Sequence, residues 1–242
     1  MKSKYTYEEF LEIIEKLRSE DGCPWDKEQT HNSLRPCMTE EAAEVVAAIR
    51  ILDQTGDAEN LREELGDVLL QVVMHAQIAK EEGLFTMEDV VNDVSEKMIR
   101  RHPHVFGEVS VDNANEVLRN WDEIKKKEKE GKTWIESPLK EIPIELPALT
   151  RASKVLKKAD KYYGLKQDFD QNLKVIKNSV SEIERQIESQ ITEKETAQME
   201  VAMGNLLMAV ADISRLYKLP LEQILSDKVD DYIIECEDIT KK

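Results

Sequence analysis

Five acids stand in two groups at helical spacing: Glu40, Glu41 and Glu44 in "TEEAAEVV", and Glu64 and Asp67 in "EELGDVLL". Residues three and four apart share a helix face, so Glu40 and Glu41 both neighbour Glu44, and Glu64 neighbours Asp67. A short break around Gly56 makes the two helices antiparallel neighbours. Up to five carboxylates can then converge. Like charges so placed repel by a few tenths of a kcal/mol when exposed, and burial raises the cost. A divalent cation reverses the sign. An all-oxygen set without Cys or His points to Mg²⁺, with Mn²⁺ as a substitute. Mg²⁺ keeps several waters and takes substrate phosphates, which favours phosphoryl chemistry on a nucleotide over a purely structural ion. With 50 acids in 242 residues, the chance of an acid is about 0.2 per position, so spacing alone leaves a solvated acidic face as the alternative.

Other chemistry-bearing residues offer less. His102 and His104 flank Pro103 in "RRHPHVFG" with no third soft ligand close in sequence, which reads as a structural loop lock. His75 sits in an apolar run and reads as a packed histidine. Cys23, Cys37 and Cys236 form no CxxC pair and have no evident activating base. Their odd number fits a reducing cytoplasm. No Gly-rich phosphate loop or GxGxxG is present.

The elements that must position the acids are helices. Charged residues make up 35% and aromatics 5% of the chain, with only 8 Gly and 7 Pro, a balance that favours an all-α protein over a sheet. Phe10, Leu11, Ile14 and Leu17 recur at helical spacing over 7–20. "DGCPWD" then interrupts, with Pro24 and Trp25 expected to fix the turn against the bundle and Asp26 to cap the next helix. Further helices are expected over 39–55, 57–82 with Asp57 as N-cap, and 87–101 opened by a Thr86/Asp89 capping box. A loop over 100–110 separates these from a helix over 113–130. "TWIESPLKEIPIELP" reads as a linker over 133–147 between halves at 1–132 and 148–242. Helices over 148–163, 169–190, 193–218 and 221–238 complete the chain, with Thr192/Glu195 as a further capping box.

The net charge of -16 argues against nucleic acid as a partner, which needs a basic face. An acidic protein can still hold phosphates through a bridging cation. The N-terminus reads as having no signal peptide, and no run of about 18 apolar residues reads as a membrane span. The expected location is cytoplasmic.

The second half echoes the first. "MGNLLMAVADISRLYK" follows "SEIERQI" as "LGDVLLQVVMHAQIAK" follows "EEAAEVV", which reads as a duplicated helical unit. Ser181, Glu182 and Arg185 replace the first acids, and Ala202 and Asn205 stand where Glu64 and Asp67 would. Only Glu182 survives, so no Mg²⁺ site is expected there. Leu206, Leu207, Val210, Ile213 and Leu216 keep an apolar stripe for helix contacts and dimerisation.

Together, "GCPWDKEQT", "TEEAAEV", "EELGDVLLQVV", "RRHPHVFG", "WDEIK" and "LPALTRASK", in this order, resemble the MazG family of nucleoside triphosphate pyrophosphohydrolases. The likeness runs over nearly the whole chain and is closer in the first half. The resemblance implies an all-α fold of two tandem helical-bundle units completed by homodimerisation. It implies Mg²⁺-dependent hydrolysis between the α and β phosphates, giving a nucleoside monophosphate and pyrophosphate. Glu41, Glu44, Glu64 and Asp67 match the metal ligands, and Glu40 and Glu41 the catalytic pair, with Glu40 in substrate contact or water activation. Lys97 and Arg101 match the cations that hold the triphosphate, and Trp121 and Lys125 a later substrate-side pair. Trp121 equally reads as a helix anchor. A nucleotide sensor without turnover and a structural helical dimer remain the competing functions.

Overall fold

Local capping chemistry sets most helix boundaries. The computed structural model describes residues 4–111, 113–129, 137–188 and 193–240. The elements among them are α1 (Tyr7–Arg18), α2 (Pro24–Glu28), α3 (Arg35–Thr55), α4 (Glu59–Glu81), α5 (Met87–Arg101), α6 (Pro103–Phe106), α7 (Ala114–Lys129), α8 (Ala148–Tyr163), α9 (Phe169–Glu188), α10 (Glu193–Leu216) and α11 (Leu221–Thr240). All are helical, and none is long and apolar enough to cross a membrane. The Thr192/Glu195 capping box lies outside the described residues.

Thr86 opens α5 as expected: its hydroxyl accepts from the Asp89 N–H at 3.3 Å, and the Asp89 carboxylate accepts from the Thr86 N–H at 2.8 Å. Thr6 and Glu9 form the same reciprocal cap on α1. α3 begins four residues before the expected Thr39, because Pro36 fits the first helical turn, where no N–H is needed. It ends at Gly56, whose φ of 74° favours a residue without a side chain. Asp57 is not the N-cap of α4. Ala58 holds that place, while the Asp57 carboxylate accepts from the Glu59 N–H at 2.9 Å one residue early. The short helix α6 falls inside the expected 100–110 loop.

The chain divides into two units, 1–130 and 131–242. In the first, Ile14, Leu34, Val73, Met74 and Ile78 form a buried cluster, with Phe10, Leu11, Leu17, Leu70 and Met87 packed against it. Burying a side chain such as Ile14 contributes about 1.5–3 kcal/mol. The cluster takes the C-terminal half of α4, leaving its N-terminal half free to face α3. Arg18 fastens this end. Its Nη2 donates to Glu81 at 2.7 Å, and its Nη1 to the carbonyls of Asp26 at 2.5 Å and Gln29 at 3.1 Å. Trp25 is 64% exposed, so Arg18, not the indole, holds the α2 turn. A Cβ at Gly22 would overlap the Leu17 carbonyl, which explains the glycine there.

Beyond α2, His31 meets His75 of α4 with Nδ1 atoms 2.8 Å apart and rings stacked 5° from parallel. This contact ties the segment entering α3 to α4. The His31 Nε2 lies 3.8 Å from Glu82.

In the second unit, α10 packs on α8 and α9, and α8 also meets α11. Asn172, fully buried, donates to Asp212 at 2.9 Å, and Asp212 accepts from Arg215 at 2.6 Å. Residues 137–147 run as successive turns that belong to this unit. Ile142 is buried, and Lys158 donates to the Pro138 carbonyl and to Glu141, both at 2.7 Å.

Burial, and then the facing His31, hold the His75 pKa below the ordinary histidine value. His75 is therefore neutral when folded at neutral pH, and the unfolded chain binds the extra proton as pH falls through about 6.5. This group's contribution to stability is present above that pH and is lost as pH drops toward the lower folded value. The urea midpoint of His75→Gln should fall less between pH 7.5 and 5.5 than that of the parent chain.

Candidate active site

The α3–Gly56–α4 hairpin faces two acidic stripes. Glu41 of α3 and Glu64 and Asp67 of α4 are half-buried, and each offers a carboxylate oxygen within 4.8 Å of the others. Donors around one octahedral Mg²⁺ lie about 3.0 Å apart when cis and about 4.2 Å apart when trans, so the trio must draw closer to share an ion. The donor set is all carboxylate, the chemistry a hard divalent cation takes, and the residues present fit such a group.

Glu44 stands outside this trio. It is exposed, one turn along α3 from Glu41. Glu40 is exposed beside them. Asn60, which sequence reasoning missed, donates from Nδ2 to Glu64 Oε1 at 2.8 Å. It orients that carboxylate from one turn upstream on α4, and its i,i+4 spacing to Glu64 was the available signal.

The electrostatics carry the mark of crowding. Burial pushes the Glu41 pKa above the usual carboxylate value, the Asp67 charge raises it further, and Glu44 and then Glu40 add to this. No lysine or arginine side chain pairs with Glu41 or Asp67 among the described residues. Such a cluster is unfavourable by itself and becomes favourable when a cation enters.

The expected phosphate-side residues form a second group on α5 and α7. Lys97 is half-buried one turn before Arg101 and makes no ion pair among the described residues. The Arg101 guanidinium lies 5.4 Å over the Trp121 ring, and His102 meets the same ring edge-on at 4.8 Å. Trp121 is thus at once a helix anchor and the floor beneath a cation. His102 Nδ1 lies 2.7 Å from the Met98 carbonyl, which locks the loop entry. Lys125 is half-buried one turn beyond Trp121. Neither Lys97 nor Arg101 pairs with the α3–α4 acids. Arg101 instead pairs with Glu128 of α7, which sequence reading left as part of a charged helix end.

In the second unit, a cleft of about 690 Å³ is lined by Ser179, Glu182, Gln198, Ala202 and Asn205, where the internal echo would put the acids. Glu182 already accepts from Arg185 at 2.6 Å and from Gln186 at 2.5 Å. Ala202 is buried.

The fold and site define an all-helical protein with an acidic cluster of the size and composition of a divalent-cation site. Residues 29–106 match the model of the MazG nucleotide pyrophosphohydrolase domain, a span that holds all five acids, Lys97 and Arg101. The chain is 40% identical over 226 residues to the nucleoside triphosphate pyrophosphohydrolase/pyrophosphatase MazG of Thermotoga maritima, covering 90% of this chain and 79% of that protein. It is 41% identical over 207 residues to the nucleoside triphosphate pyrophosphohydrolase of Escherichia coli K12, covering 85% and 76%. It is also 50% identical over 153 residues to the uncharacterized protein YabN of Bacillus subtilis, of which it spans only 30%. The chain belongs to the MazG family.

Because Glu41 is crowded by like charge, Glu41→Gln should stabilise the metal-free protein. Relief of several tenths of a kcal/mol to 1 kcal/mol corresponds to a rise of about 1–4 °C in the melting midpoint, read by calorimetry in chelator.

Proposed function

We propose that this chain hydrolyses nucleoside triphosphates between the α and β phosphates, releasing a nucleoside monophosphate and pyrophosphate, with Mg²⁺ held by Glu41, Glu44, Glu64 and Asp67. The observation that carries this reading is the convergence of Glu41, Glu64 and Asp67 within 4.8 Å. Glu44, one turn along α3 from Glu41, joins as the fourth ligand. When bound, Mg²⁺ neutralises phosphate charge and polarises the phosphoryl oxygens.

The chain's own residues do the rest. Glu64 is kept in place by Asn60. Glu40, exposed at the edge of the acids, accepts the proton of the attacking water or contacts the substrate, with Glu41 beside it. The water oxygen bonds to phosphorus as the bridging anhydride oxygen leaves with the departing phosphate group. Lys97 and Arg101 neutralise the triphosphate, which is the main demand of phosphoryl transfer. Trp121 and Lys125 form the substrate's far side. The similarity to relatives named nucleoside triphosphate pyrophosphohydrolases supports the same substrate class.

The working state is proposed to be a homodimer. Val46 and Ile49 on α3 and Leu65 and Leu69 on α4 are exposed apolar residues on the very helices that carry the acids. The three free cysteines support a cytoplasmic setting.

Incubation with Mg²⁺ and a panel of ribo- and deoxyribonucleoside triphosphates should release pyrophosphate. Glu44→Gln should lower turnover by at least about a hundredfold, and Asn205→Ala should leave it unchanged. Orthophosphate as the product, or binding without turnover, would reject the enzyme. Sedimentation velocity should give twice the monomer mass, and Leu69→Glu should shift it toward the monomer. A monomeric parent chain would overturn the dimer.

A further inference from the structure

Arg101 already holds an anion from its own chain. Its Nη2 donates to Glu128 Oε2 at 2.6 Å, and its Nε lies 3.2 Å from the same oxygen and 3.3 Å from Oε1. The Arg100 Nε donates to Glu128 Oε1 at 2.8 Å. A guanidinium binds carboxylate and phosphate through the same planar fork of N–H donors. The Nε–Nη2 edge of Arg101 is therefore filled. The pair is largely withdrawn from water, with the Arg101 and Glu128 side chains 16% and 15% exposed. Hydrogen bonds from Arg101, then from Arg100, hold the Glu128 pKa at about 2 despite burial, so the carboxylate stays ionised at any working pH. The Trp121 ring lies beneath the guanidinium, 5.4 Å from its carbon.

We propose that Glu128 is a built-in competitor for the substrate's phosphates, holding Arg100 and Arg101 in the unliganded protein and yielding the Arg101 fork to a polyphosphate. The proposal rests on the reading of Arg101 as a triphosphate contact. A carboxylate shared by two arginines is a strong local competitor. A small anion such as orthophosphate has only the Arg101 fork with which to displace it. A triphosphate also has Lys97 and a metal-bearing acid cluster to bind, and can meet the cost of displacement with those contacts. Glu128 is in this sense a specificity-determining residue: it sets a threshold that long polyphosphates cross and short ones do not. Its return to Arg101 also opposes retention of the pyrophosphate product.

The experiment compares Glu128→Gln with the parent chain, using inorganic tripolyphosphate and orthophosphate as calorimetric titrants in Mg²⁺, with circular dichroism as the folding check. Glu128→Gln should bind tripolyphosphate about fivefold to tenfold more tightly. It should gain more than this for orthophosphate, so that discrimination between the two falls, and the KM for a nucleoside triphosphate should drop. Glu128→Asp keeps the charge but draws it back by one methylene and should fall between the two. Equal or weaker tripolyphosphate binding by folded Glu128→Gln and Glu128→Asp would overturn the proposal, because it is what a purely structural brace for α7 predicts. Arg101→Gln should weaken tripolyphosphate binding, and unchanged binding would refute the competition at its source. Absence of pyrophosphate release by the parent chain would remove the enzymatic reading instead, and the tripolyphosphate comparison would still test Glu128.

Discussion

Three carboxylates, from Glu41, Glu64 and Asp67, are held within reach of one another across a helix pair with no lysine or arginine of the described residues paired to Glu41 or Asp67. Their mutual repulsion pushes α3 and α4 apart at this end. Something else must hold the helices together, and the structure separates the two tasks along α4. The C-terminal half of α4 enters the apolar cluster of Ile14, Leu34, Val73, Met74 and Ile78, and its N-terminal half carries the acids. The favourable burial and the unfavourable charge therefore sit on one rigid rod. The rod transmits the stability of one end to the geometry of the other.

The clamps around that core follow the same logic. Arg18 joins α1, the α2 turn and the end of α4 through one guanidinium. The His31–His75 contact fixes the approach to α3 just before the helix that bears Glu40, Glu41 and Glu44. On the cationic side, the charge of Arg101 is satisfied within the chain by Glu128 and supported by Trp121. The first unit thus leaves its anions open and its principal fork-shaped cation occupied. That asymmetry suits the proposed function, with a metal from solution and phosphates that displace an internal carboxylate.

The second unit keeps helices with the same internal echo and resolves the charge differently. Glu182 has Arg185 one turn away, Ala202 is buried, and Asp212 accepts from Asn172 and from Arg215, whose guanidinium also pairs with Asp160. Where the first unit leaves like charges unpaired, this one neutralises them within the chain. An unpaired buried charge is costly, and pairing it within the chain removes that cost.

Much of this was legible in the residues because it is local. Phe10, Leu11, Ile14 and Leu17 announce the buried face of α1. Thr86 and Asp89 announce the start of α5, and Gly56 the end of α3. Caps and periodicity act over three or four residues, so sequence alone determined the all-helical class, most helix limits and the two acidic stripes. Local signals also misled where two candidates competed, as when Asp57 bonded one residue early and Ala58 took the cap. Tertiary structure alone decided which acids meet, leaving Glu44 outside the trio. It alone exposed Trp25, paired His31 with His75 across 44 positions, and set Glu128 against Arg101 across 27. The physical reason is reach: a side chain's partner on another helix depends on how two helices rotate against a shared core, and that rotation is set by every contact in the core at once.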